Sequence, residues 1–251
     1  LLLAYDGPIA SLTFDRATKH NALSQAIWRR LPDAIEEAHA RRETRIIILS
    51  GAGGNFAAGA DIAEFDTVFA DRAATLSYLD DMTAATAAIA AAPVPVIAAI
   101  EGLCIGAGVA VALACDLRIA DPAASFAVTP AKLGLLYSLI DTRRLITAVG
   151  MSHAKMLLFT GKRIDAETAR AIGLVDALGD ADDVRDLVAL IAANSAWSHD
   201  HGKKVAALIQ AGAMADNEAT RRWFADAPAT ADFPEGLAAF RARRKPDFPS
   251  R

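Results

Sequence analysis

Residues 91–116, AAPVPVIAAIEGLCIGAGVAVALACD, constrain this chain more than any other stretch. They are its most apolar segment, and a membrane span needs about 20 unbroken apolar residues. Pro93, Pro95, Glu101, Gly102, Gly106 and Gly108 break this one repeatedly. The pattern instead predicts a buried strand, a glycine turn and a buried helix. A segment of that kind must be covered on all sides, which requires a large core. The chain has 251 residues, 53% of them hydrophobic and 22% charged, enough for one large or two unequal domains.

The same order recurs along the chain. Leu1–Tyr5 and Ile9–Phe14 read as a hairpin joined at Asp6-Gly7-Pro8. NALSQAIWRRLPDAIEEAHAR has helical spacing, with Ser24 as N-cap and Pro32 as a kink or interruption. TRIIILSG is a buried strand, followed by a glycine-rich loop and a helical region over about 62–92. PVIAAIEG, DLRIAD and SFAV read as strands, CIGAG as a turn, and VAVALAC and LITAVGMSHAKMLLFTG as helices. GLVDALG reads as a short strand between turn glycines. Beyond about Asp180 only helical patterns remain. We therefore expect an α/β core over 1–191 and a helical C-terminal region over 192–251. Trp197, Trp223, Phe224 and Phe240 in that region need a surface to pack on, either the core or another subunit.

Several classes of function are disfavoured. The net charge of -4 gives no reason to expect a nucleic-acid partner or an anionic membrane surface. The three leading leucines are too short for a signal core. Cys104 and Cys115 lie in apolar sequence and read as reduced core residues of a cytoplasmic protein. GAGGNFAAGAD lacks the Lys-Ser/Thr ending of a phosphate loop, and neither glycine turn gives G-x-G-x-x-G. G-x-S-x-G and H-E-x-x-H are absent. His199 and His201 flank Asp200 in what reads as a solvated polar turn rather than a metal site.

What remains is two strand-glycine-helix transitions, at Ala58-Gly59-Ala60 and Gly106-Ala107-Gly108. Helix-start N–H groups lack intrahelical partners, and small residues let a ligand approach the backbone. Two such amides converging on one point make an oxyanion hole with no chemical side chain. The same small residues would also permit tight strand–helix packing, and spacing alone leaves both readings open.

Five segments in order resemble the crotonase, or enoyl-CoA hydratase/isomerase, superfamily. They are HNALS (20–24), NFAAGADIAEF (55–65), EGLCIGAGVAVALACDLRIA (101–120), LFTGKRIDAETARAIGLVD (158–176) and FPEGLAAFRARRKPDF (233–248). The resemblance implies an α/β spiral of ββα units with a C-terminal helical trimerisation region, packed as a homotrimer or dimer of trimers. It implies an acyl-CoA thioester as ligand, coenzyme A entering with the substrate rather than as a separate cofactor. It assigns the oxyanion donors to the N–H groups of Ala60 and Ala107, the latter position commonly glycine in relatives. Ala22, Ala58, Asp61 and Ile62 match backbone-lined positions around the adenine and pantetheine, and Gly59 and Gly106 flank the donors. Arg16, Lys19, His20, Arg244 and Lys245 are candidates for the phosphates or, equally, solvated charges.

Hydratases of this family use two glutamates, and both are absent: the positions are Ala110 and Pro130. An isomerase aspartate position is occupied by Ser138. TPAKLGLLYS (129–138) is similar to a segment of methylmalonyl-CoA decarboxylases, in which a tyrosine at the Tyr137 position orients the departing carboxylate. The chain departs from that pattern at Ala60, where the decarboxylase carries histidine. The resemblance thus implies an enolate-stabilising lyase or isomerase. A hydratase with relocated acid and base, or a catalytically weak acyl-CoA binder, stand as alternatives. Among other polar residues, Glu64 and Asp66 read as exposed helix carboxylates. Asp141 reads as the cap of the helix beginning TRRLITAV, Lys132 as a surface residue, and His153 as a helix residue without a nucleophile partner. The segment Glu64–Tyr78 is expected to shape the acyl pocket.

Overall fold

The computed structural model describes residues 1–249. The predicted hairpin forms from β1 (Leu2–Asp6) and β2 (Ile9–Phe14), antiparallel. Helix α1 (Gln25–Ala40) follows, capped by the Ser24 side chain as expected. Pro32 does not interrupt it. The helix runs through, burying Ile27, Trp28, Leu31, Ala34, Ile35 and Ala38. An internal proline costs about 3 kcal/mol. Burying each large apolar side chain on that face returns about 1.5–3 kcal/mol, which outweighs it.

Strand β3 (Ile46–Gly51) lies parallel to β2 and to β4 (Val96–Ile100). Between β3 and β4 the expected single helical region divides into α2 (Phe65–Val68) and α3 (Arg72–Ala91). Asp71 starts α3 afresh by accepting from the Ala74 N–H. The turn expected at CIGAG contains a strand, β5 (Leu103–Ile105), before α4 (Ala107–Ala114). Then come β6 (Leu117–Ala120), β7 (Ser125–Ala127) and α5 (Leu139–Thr160), which Gly150 breaks locally at φ 76°. Strand β8 (Ile164–Asp165), α6 (Ala166–Ala171) and β9 (Ala177–Leu178) complete the α/β part.

The strands make two sheets, ordered β1-β2-β3-β4-β6-β9 and β5-β7-β8. The units β4-β5-α4 and β6-β7-α5 each place one strand in the first sheet, one in the second, and then a helix. Two isolated parallel bridges, Leu23 with Ala60 and Ala57 with Cys104, carry the second sheet's course back through the earlier repeats. The result is a spiral of ββα units. The period-2 alternation of strands assigns residues to the two faces of the first sheet. Ile47, Leu49, Val96 and Ala98 join the main core with α1 and α3. Ile46 and Ile97 face Val184 and Val188 of α7 (Ala181–Ala192). Cover on both faces explains the uninterrupted apolar strands.

The remaining helices are α8 (Ala196–Gln210), α9 (Glu218–Asp226) and α10 (Asp232–Ala242). Lys203 on α8 bonds the carbonyl of Val94 at 3.0 Å and Asp116 at 2.6 Å, and Arg45 bonds the carbonyls of Asn194 and Pro249. His199 and His201 lie inside α8 rather than in a solvated turn. There His201 stacks on Trp197 at 4.0 Å and meets Trp223 edge-on. The tail thus packs Trp197 and Trp223 within itself but leaves Phe224 at 86% and Phe240 at 82% exposure. Both cysteines are buried and unbridged, and burial pushes the Cys115 thiol up to about 12.

Candidate active site

Three segments distant in sequence meet beside the second sheet: 16–24, 51–64 and 101–108. Two asparagines pin them. Asn21 is fully buried and adopts φ 56°, a left-handed conformation that asparagine tolerates better than most residues. Its side-chain amide donates to the carbonyls of Ala52 at 2.8 Å and Asn55 at 2.6 Å, and its side-chain oxygen accepts from the Arg16 N–H. Asn55 in turn accepts from the Leu103 N–H at 3.0 Å. The HNALS and NFAAGAD signatures contain both residues, yet sequence reading assigned them no role.

Arg16 is the third fastener. Its guanidinium donates to the Ala22 carbonyl at 2.6 Å and to Asp61 at 2.7 Å. It is therefore committed within the fold, which corrects its candidacy as a free phosphate ligand. That ion pair holds the Asp61 carboxyl below the usual carboxylate range. Arg244 is also committed, in a two-pronged bond to Glu235. Lys19, His20 and Lys245 remain exposed.

Ala60 does not sit at a helix start, as the sequence suggested. It makes an isolated parallel bridge with Leu23, one residue before Asp61, which N-caps the short turn Ile62–Glu64. Its geometry follows from the bridge to Leu23. The Leu23 N–H donates to Gly59 O, and the Asp61 N–H donates to Leu23 O. Both bonds point from this segment toward Leu23. The Ala60 N–H shares a trans peptide with the Gly59 carbonyl, which faces Leu23, so it is directed the other way. It donates no hydrogen bond among the described residues. Neighbouring Ala58 is held by donation to His20 O.

The second turn packs directly against the first. A side-chain carbon on Gly108 would lie 2.6 Å from Ala57 O, and one on Gly59 would lie 3.2 Å from Ile105 O. Gly59 also has φ 108°, which L side chains rarely adopt. Thus the small residues do permit tight packing, and that packing is between the two candidate oxyanion segments. Gly106, at φ 52° and ψ -110°, N-caps α4. The N–H of Ala107, first residue of α4, donates no hydrogen bond among the described residues. Ala107 is 9% exposed, Ala58 and Ala60 are half-buried, and apolar Ile62 is 62% exposed.

The enoyl-CoA hydratase/isomerase family model matches residues 5–251. This chain belongs to that family. It is 33% identical to "Probable enoyl-CoA hydratase echA8" of Mycobacterium bovis over all of this chain and 98% of that protein. A similarly named protein of Rhizobium meliloti matches at 33%, with the same coverage. Among solved structures, an enoyl-CoA hydratase/isomerase family protein from Hyphomonas neptunium superposes with a TM-score of 0.96. It is 38% identical, over all of this chain and 97% of that one. An enoyl-CoA hydratase/carnithine racemase from Magnetospirillum magneticum gives 0.94 and 34%, covering 99% and 95%. The spiral described above is therefore the crotonase fold, and an acyl-CoA substrate is consistent with the family.

At the two positions where the resemblance places the hydratase glutamates, the chain carries Ala110 and Pro130. Ala110 is fully buried inside α4. Pro130 opens the short turn Pro130–Leu133, ended by Gly134 in the left-handed region. Two carboxylates lie elsewhere than sequence reading placed them. Glu64 is half-buried and accepts from the Gln25 N–H at 2.7 Å, so it serves the N-terminus of α1. Asp141 is not the helix cap: Ser138 caps α5, and Asp141 sits one turn in at 3% exposure. It accepts from Ser138 at 2.6 Å and from Arg144 at 3.4 Å, while Arg144 also reaches Thr86 O. Burial pushes the Asp141 carboxyl up despite these partners. Tyr137 is 7% exposed, and its hydroxyl donates to the carbonyl of Gly106 at 3.3 Å. Lys132 is exposed, and its stem packs against Gly161. His153 is a helix residue whose ring meets the Val149 carbonyl.

Proposed function

We propose that this chain transforms an acyl-CoA thioester by stabilising its enolate between the N–H groups of Ala60 and Ala107. The observation that carries the reading is the pair of unengaged amides on two segments packed against each other, one aimed away from Leu23 by its bridge and one opening α4. Loss of one oxyanion donor in a comparable site costs about 3–4 kcal/mol, so two backbone amides can supply much of the barrier reduction. Ala22, Ala58 and Asp61, ordered by His20 and Arg16, would line the coenzyme A path, with Gly59 and Gly106 allowing close approach. Exposed Ile62 would gain apolar cover from the ligand.

The reaction we favour is decarboxylation or double-bond isomerisation rather than hydration. Adding water to an enoyl thioester needs a positioned base and acid, each contributing about 10²–10⁴-fold. Ala110 and Pro130 offer neither. Loss of carbon dioxide from a carboxyl on the α carbon leaves its bonding electron pair as the thioester enolate directly and asks little more of the protein than the oxyanion hole and a proton source. We also propose that the exposed Phe224 and Phe240 faces are covered by further copies of this chain, as a trimer or dimer of trimers.

A panel of acyl-CoA thioesters tests the chemistry. The reading expects carbon dioxide release from a thioester bearing a carboxyl group on its α carbon, or migration of a double bond, with slow hydration of crotonyl-CoA. Fast hydration of crotonyl-CoA contradicts the subclass. Tight binding of many thioesters with turnover of none establishes a binding protein instead.

A further inference from the structure

We propose that Tyr137 is a positioning residue that holds and polarises the Gly106–Ala107 peptide from behind, and that residues 127–137 act as a clamp on that one peptide unit. The inference rests on the oxyanion reading above and adds what gives the Ala107 donor its aim and strength.

The carbonyl of Gly106 and the N–H of Ala107 belong to a single peptide plane. In a trans peptide they point in opposite directions, and no cis bond occurs among the described residues. The Tyr137 hydroxyl donates to that carbonyl. A hydroxyl carries one proton, so a Tyr137 bonded in this way does not also donate to a substrate carboxylate. Its effect reaches the ligand through the amide. Donation to a carbonyl draws charge through the peptide and makes the N–H at its other end a stronger donor, by roughly 10–30% per bond in condensed-phase estimates.

The same segment holds Gly106 on its other sides. The Gly106 N–H donates to Ala127 O at 2.7 Å, and Thr129 Oγ1 lies 3.2 Å from where a side-chain carbon on Gly106 would stand. The Gly106 carbonyl also accepts from Val109 N–H at 3.1 Å and Ala110 N–H at 3.3 Å, so helix α4 and the clamp converge on one oxygen. The unusual ψ of -110° at Gly106 sets the orientation of this peptide, and these contacts fix it. Burial, with the Asp141 charge second, pushes the Tyr137 hydroxyl well above its ordinary range, which keeps its proton in place for donation. A stretch with no carboxylate, histidine or cysteine thereby has a task that needs none.

The test is isotope-edited infrared spectroscopy of bound [1-¹³C]crotonyl-CoA, which reports polarisation of the thioester carbonyl. The wild type should lower the carbonyl stretch relative to free thioester. Tyr137→Phe should shrink that shift, leave the dissociation constant within about twofold, and lower kcat by about three- to tenfold with little change in KM on the best substrate of the panel. Incorporation of 3,5-difluorotyrosine at position 137, which keeps the shape and strengthens the donor, should enlarge the shift. It also serves if the phenylalanine variant does not fold. Equal shifts in every protein that folds overturn the role of Tyr137 while leaving the oxyanion hole intact. A wild type that leaves the carbonyl unshifted, or binds none of the thioester, overturns the oxyanion reading and this one with it.

Discussion

Arg16 and Asp61, 45 residues apart in the chain, meet at 2.7 Å, and the same guanidinium holds the carbonyl of Ala22. One side chain thus fixes two of the positions proposed to line the coenzyme A path.

Removing that fastener should weaken both fold and ligand binding. A hydrogen bond to a charged group contributes about 1.5–3 kcal/mol, and Arg16 is only partly exposed. Arg16→Ala is expected to lose about 1–3 kcal/mol in urea unfolding and at least tenfold in acyl-CoA affinity. The pair also predicts a pH dependence. Arg16 depresses the folded pKa of Asp61 below its ordinary 3.8. The stabilisation is therefore complete above that unfolded value and is lost as pH falls through the lower folded value. Asp61→Asn should flatten the acid limb of stability against pH below about 4, leaving the neutral region parallel to wild type.

Contact between the two candidate oxyanion segments leaves no room for a methyl at Gly108. The carbon added by Gly108→Ala would stand 2.6 Å from Ala57 O and 3.0 Å from the Ala57 side chain, so one segment must shift. A cost of about 1–3 kcal/mol in stability is expected, with a larger fractional loss in kcat than in binding. Gly202→Ala supplies the contrast. Gly202 lies within α8 with open space around it, and alanine there should be neutral or stabilising by up to about 1 kcal/mol.

Hydration should be the poorest reaction of the panel. With Ala110 and Pro130 in the two carboxylate positions, crotonyl-CoA hydration is expected at least 10²-fold below the rate on the preferred thioester. Ala110→Glu alone should not repair it. The position is fully buried in the core, and an unpartnered carboxyl there is expected to cost several kcal/mol. Paired thermal melts and hydration assays check both statements.

The tail predicts its own assembly. Phe224 and Phe240, with Ile209 at 63% and Met214 at 96% exposure, leave apolar surface that a solitary chain would present to water. Sedimentation should find a trimer or hexamer, and Phe224→Glu with Phe240→Glu should shift the protein toward smaller species. An unchanged mass would place the interface elsewhere.

Much of this architecture was legible in the sequence because its signals are local. Ser24 caps α1, and the β-branched run at Ile46–Gly51 forms a strand buried on both faces. The small-residue turns at 58–60 and 106–108 mark the two segments that pack together. What escaped depends on distant partners. Leu103–Ile105 is only three residues between glycines, and its strand identity comes from pairing with Ser125–Ala127. The commitment of Arg16 requires Asp61, and the roles of Asn21 and Asn55 require loops folded against each other. Asp141 carried a capping signal, but Ser138, three residues earlier, takes the cap and binds it. At Pro32 the local helix-breaking tendency gave way to the buried face of α1. Which way the Ala60 amide points was not readable at all, since it follows from a bridge to Leu23.

A crystal structure with a bound acyl-CoA measures the central claim directly. The account predicts the thioester oxygen about 2.7–3.1 Å from both the Ala60 and the Ala107 nitrogens, in line with their N–H bonds. A thioester oxygen bonded elsewhere, with those two amides facing solvent or diverging from each other, would contradict it.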